Sequence, residues 1–100
     1  MTPAQRVAAA FEGGVPDRVP LYQAGFSSDV ASRILGREAM VGGGHAQFRE
    51  ACAVWEGEAA HREFLERSFA DAAELCRRLE LDVIRTAYWA HARAPDPPPR

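Results

Sequence analysis

One hundred residues with a formal net charge of −2 allow a single modest core, and a closed barrel of strands and helices is beyond that length. The near-neutral balance gives no electrostatic case for nucleic acid or for an anionic membrane as a partner. All twelve basic residues are arginine, which excludes Schiff-base or lysine general-base chemistry within the chain.

The opening "MTPAQRVAAAF" has no long apolar run of the signal-peptide kind, and no stretch reaches membrane-spanning length, so the cytoplasm is the default compartment. Thr2, Pro3 and Gln5 predict a capped helix start, with Thr2 as cap, Pro3 in the first turn and Gln5 closing a capping box. Ala4, Val7, Ala8 and Phe11 share one face of this first helix, which occupies residues 1–14 and stops at Gly13-Gly14. Residues 15–26, "VPDRVPLYQAGF", follow as a proline-rich arm. Pro16 and Pro20 fix their own φ and push the preceding residues toward extended geometry, so the arm is expected to run straight across a surface.

Ser27 or Ser28 can cap a second short helix, Asp29 to Leu35, with Gly36 as its terminator. Gly42-Gly43-Gly44 opens a third, whose Phe48, Cys52 and Trp55 fall at i, i+4 and i+7, and Gly57 closes it. The fourth, about Glu58 to Glu80, has the strongest pattern. Leu65, Phe69, Ala72, Cys76 and Leu79 make one apolar seam, with Glu58–Arg62, Glu63–Arg67 and Glu74–Arg78 as i,i+4 pairs on the other faces. "LDVIRTAYWA" then changes period and predicts a buried strand, Leu81 to Tyr88. The tail at 92–100 is proline-rich and continues neither element. A lone strand has no partner for its backbone groups, so the pattern is expected to be the front part of something larger.

With these pieces placed, the chain resembles the amino-terminal part of the uroporphyrinogen decarboxylase family. The resemblance rests on "MTPAQRVAAAFEGGVPDRVPL", similar to that family's opening helix and its P-D-R-V-P arm, on "ILGREAMVGGG", and on "LDVIRTAYW" as the first barrel strand. It runs along nearly the whole chain and would cover about the first third of a family member. It implies an α/β fold class: a mostly helical fragment of four helices and one strand at the front of a (β/α)8 TIM-type barrel. It also implies that the arm carries Tyr22, Gln23, Gly25 and Phe26 to the substrate at the barrel mouth. Tyr88 and Trp89 lie at the carboxyl end of the first strand and are expected to join them.

Two departures from the family pattern bear on substrate. Uroporphyrinogen decarboxylases resemble the chain at Gln23-Ala24-Gly25 but flank that triplet with arginines, which can clamp substrate carboxylates bidentately; here Tyr22 and Phe26 stand there. They also place an aspartate just after the first strand, where this sequence has Tyr88-Trp89-Ala90. An aromatic mouth suits a small molecule less acidic than a porphyrinogen. The same barrel serves methyltransferases that move a methyl group to or from a corrinoid carrier, using zinc held by a His-x-Cys and a later Cys. Those ligands would fall outside this chain, so no metal or cofactor is assigned within it; zinc, corrinoid and a corrinoid protein are expectations for a parent enzyme. The alternatives are a true decarboxylase of tetrapyrrole biosynthesis and a non-enzymatic helical module that binds a partner through its apolar seam.

The remaining polar residues read mostly as structural. His45 follows three glycines without the Gly-Lys-Ser/Thr of a phosphate loop, so a turn is favoured over an anion site. His61 sits on a solvated helix face without metal-ligand spacing, and His91 lies in the loop after the strand. Asp17 and Arg18 read as an ion pair bracing the arm. Cys52 and Cys76 read as reduced packing residues.

Overall fold

The computed structural model describes residues 1–84, and they form four helices joined by short connections. These are α1 (Pro3–Phe11), α2 (Ser28–Leu35), α3 (Gly43–Glu56) and α4 (Glu58–Arg78). Thr2 caps α1 through the expected capping box: its hydroxyl accepts from the Gln5 N–H, and its own N–H donates to Gln5 Oε1 at 2.9 Å. Ser27 is the cap of α2, accepting from the Val30 N–H. Gly36 ends α2 at φ 71°, a left-handed turn that glycine enters without a Cβ penalty.

A single residue, Gly57, connects α3 to α4, so the two helices pack side by side, and α2 lies across both. The core is small and rich in alanine. Ala31 and Leu35 of α2, Ala39 and Val41 of the connection, and Ala72 and Leu75 of α4 cluster together, with Ile34 and Phe26 packed on the edge. Helices that meet through alanine approach closely, and this decides which faces are buried.

That choice differs from the predicted seam. Of its residues, Ala72 and Cys76 are buried, whereas Leu65, Phe69 and Leu79 are exposed. The buried stripe of α4 is Ser68, Asp71, Ala72, Ala73, Leu75 and Cys76, rotated toward smaller and more polar residues. On α3, likewise, Ala46, Glu50, Ala51 and Ala53 face inward, while Phe48 and Trp55 remain 39% and 50% exposed. Bulky residues at helical spacing predicted a stripe rotated away from the one buried, on which Leu75 is the large apolar residue among alanines.

Buried polar groups on this stripe have partners. Asp71 accepts from Arg37 Nη1 at 2.7 Å and from the buried Met40 N–H at 3.0 Å. Arg37 also pairs with Glu74, whose carboxyl is held below its ordinary range chiefly by that guanidinium. Of the three anticipated i,i+4 pairs, Glu74–Arg78 forms at 3.7 Å. Arg67 turns instead to Glu38 at 3.7 Å. His61 is half-buried, not solvated, with Nε2 3.3 Å from Oε2 of the buried Glu50. Both cysteines are free thiols, and burial pushes that of Cys76 up.

The strand expected at Leu81 to Tyr88 is absent where the structure describes it. Residues 81–84 form an irregular bend, and no strand occurs among the described residues. The backbone explains this: the Leu81 N–H returns to the Cys76 carbonyl at 2.9 Å after Glu80 turns through φ 56°, and the Asp82 N–H donates to the Leu21 carbonyl at 2.9 Å. Residues 85–88 of that element, and the tail at 92–100, lie outside the described residues.

Candidate functional site: the arm and its apolar cleft

α1 packs on no other helix and buries none of its residues fully. It is held by charge. Arg6, which interrupts the alanines of α1, bonds Asp17 through Nε at 2.6 Å and Nη2 at 3.2 Å, and reaches Asp82 through Nη1 at 2.9 Å. Its Nη2 also donates to the Met1 carbonyl at 2.8 Å. Arg18 bonds Asp82 Oδ2 through Nη1 at 2.8 Å and donates to the Glu80 carbonyl from Nη2 at 2.9 Å. Asp17 and Arg18 therefore brace the arm as anticipated, but their side chains pair with α1 and the segment after α4 rather than forming an ion pair with each other.

Asp82 is the centre of this cluster, with a side chain 0% exposed. Its Oδ1 accepts from Arg6 and Arg18, and its Oδ2 from Arg18 and, at 2.8 Å, the Leu21 N–H. The Leu21 hydrogen bond, followed by the two guanidiniums, holds the Asp82 carboxyl below its ordinary range. Arg6 does the same for Asp17, and the two carboxylates raise Arg6 in turn. Leu21 thus exchanges two hydrogen bonds with Asp82, one to its backbone carbonyl and one from its side-chain-facing amide, and this fixes the register of the arm against the segment after α4.

One residue further on, Tyr22 enters an open cleft of about 550 Å³ between α1, the arm and that segment. Val7, Ala10, Phe11, Pro20, Val83 and Ile84 supply the rest of the lining. The charged cluster beside it is internally neutralised, so the cleft offers apolar surface and one phenol. Its volume is in the range of small-molecule sites.

The other arm residues diverge. Gln23 and Gly25 are exposed, with Gln23 Nε2 donating to the Gly25 carbonyl at 3.3 Å. Phe26 points the other way and packs on the α2–α4 core. Tyr88, Trp89 and His91 lie outside the described residues. His45 is exposed at the start of α3. Among the described residues no three His, Cys, Asp or Glu side chains gather as a metal site, so these residues offer no zinc ligand set. No helix among them is long and apolar enough to cross a membrane.

Arg6 and Asp82 were not singled out in the sequence, although both carried a signal. Arg6 is the one charge inside the alanine-rich α1, and Asp82 is an acid inside the apolar run "LDVI". A charge embedded in either setting requires a partner, and each is the other's. No family model, no characterised protein and no solved structure matches the chain.

Proposed function

We propose that this chain forms the amino-terminal portion of a uroporphyrinogen decarboxylase-like barrel enzyme acting on a small, weakly acidic substrate. The observation that carries the reading is the Arg6–Asp17–Arg18–Asp82 cluster. It joins the two segments on which the resemblance rests, P-D-R-V-P through Asp17 and Arg18 and L-D-V-I-R through Asp82. In the proposed parent, the residues from Leu81 onward lead into the first barrel strand, and the arm runs beside them to the mouth.

The substrate follows from the cleft. Tyr22 stands where a decarboxylase would present a guanidinium, and the lining around it is apolar. Each missing charge-assisted contact to a carboxylate forfeits on the order of 1.5 to 3 kcal/mol, roughly ten- to hundred-fold in affinity. A porphyrinogen with its many carboxylates is therefore disfavoured, and methyl transfer to or from a corrinoid is the leading reaction, with a decarboxylase-like reaction on a small substrate as the second. Zinc, if the parent uses it, draws its ligands from beyond these residues, and bound there it would activate the accepting thiol.

The test uses the protein translated from the whole open reading frame. Uroporphyrin should fail to bind at micromolar concentration, and a methyl-corrinoid should lose its methyl group to an added thiol. Micromolar uroporphyrin binding that survives high salt, or turnover of uroporphyrinogen, would return the reading to a true decarboxylase.

A further inference from the structure

We infer that Asp82 is a positioning residue for the ligand-facing part of the arm: its buried carboxylate sets the register of Leu21 and so places Tyr22 in the wall of the cleft. Two separate segments converge on this one side chain, α1 through Arg6 and the arm through Arg18 and the Leu21 amide, and the Asp82 backbone N–H donates to the Leu21 carbonyl beside them. Both backbone polar groups of Leu21 are taken up by Asp82, its N–H by the carboxylate and its carbonyl by the Asp82 N–H. Both carboxylate oxygens are used as acceptors, each by two donors. Asparagine at this position keeps the shape but has one acceptor oxygen, and its NH₂ must face either the guanidiniums or the Leu21 N–H, donor against donor. The register is therefore specific to a carboxylate. The second ion cluster, Arg37 with Asp71 and Glu74, ties the connection after α2 to α4 and does not touch the arm, so it serves as an internal control.

The inference rests on the reading of the arm as carrying side chains to a ligand, but its test does not depend on that reading. The chain has two tyrosines, so the full chain carrying Tyr88→Phe and labelled with 3-fluorotyrosine gives one fluorine resonance, from Tyr22. In Asp82→Asn that resonance should move toward its position in the urea-unfolded chain, and the Leu21 amide should exchange with solvent about tenfold faster or more. The helical circular dichroism should be retained. Asp71→Asn should lower the urea midpoint and leave both readings in place. An unmoved resonance in Asp82→Asn, or an equal displacement in Asp71→Asn, overturns the inference. If Asp82→Asn loses its helical signal, Arg18→Met decides: a smaller displacement in the same direction supports positioning through this cluster, and none overturns it.

Discussion

Replacing Leu75 by alanine should be far more damaging than replacing Phe69, although Phe69 is the larger residue and sits in the more conspicuous sequence pattern. Leu75 is 0% exposed and packed among Ala31, Leu35, Ala39, Val41 and Ala72. Three of those neighbours are alanines, whose methyl groups cannot reach into the space a truncated leucine leaves. Leucine-to-alanine changes in such settings cost about 2.7 to 5 kcal/mol. Ile34 and Phe26 at the cluster edge can lean inward, which places the expected loss near 3 kcal/mol. Phe69 is 55% exposed, so its truncation returns little new surface to water and should cost about 1 kcal/mol or less. Urea unfolding of the full chain, followed by circular dichroism, reads both. With a slope of about 1 to 3 kcal/mol per molar, Leu75→Ala should lower the midpoint by roughly 1 to 3 M, and Phe69→Ala by much less. A loss for Phe69→Ala equal to or larger than that for Leu75→Ala would refute the assignment of the α4 core face.

Three further outcomes follow from the same contacts. Asp82 and Asp17 are held below the ordinary carboxylate range, so the stability they contribute is present above that range and disappears as pH falls through their lowered values; the Leu21 amide should keep its protection at neutral pH and lose it only in strong acid, and loss near neutrality would contradict the cluster. Gly42 and Gly44 should behave oppositely, since a Cβ at Gly42 would lie 2.5 Å from the Phe26 carbonyl oxygen, whereas one at Gly44 meets nothing within 4 Å. Gly42→Ala should cost about 1 to 3 kcal/mol and Gly44→Ala should stabilise by up to about 1 kcal/mol, both read as urea midpoints. Phe11, Val15 and Val19 are 89%, 94% and 77% exposed, so the chain should self-associate with rising concentration in light scattering, and Phe11→Ser should reduce that association.

The parts of the fold that depend on local chemistry were legible in the sequence. The α1 capping box, the Gly36 terminator and the single-residue break at Gly57 each depend on a few neighbouring atoms, and the expected elements matched the structure there. What the pattern could not give was which side of each helix meets another. Phe48, Trp55, Leu65 and Phe69 carry the strongest apolar signal, yet the buried cluster is made by Leu35, Val41 and Leu75 with three alanines between them, a choice of faces set by how the helices meet rather than by spacing within any one of them. The candidate site was half legible. Pro16 and Pro20 mark an arm, and Tyr22 does enter a cleft, but Phe26, four residues on, anchors the arm's far end in the core. The charge cluster joins residues 6, 17, 18 and 82, a span that no local spacing encodes.

The proposal of a barrel parent is tested most directly by reading the coding sequence past the codon for Arg100. A barrel parent requires an open frame that continues with alternating strand and helix patterns, enough for the seven further units of an eight-stranded barrel, and with a His-x-Cys and a later Cys if methyl transfer is the reaction. A stop codon directly after Arg100 would contradict it and leave the chain a free-standing helical module.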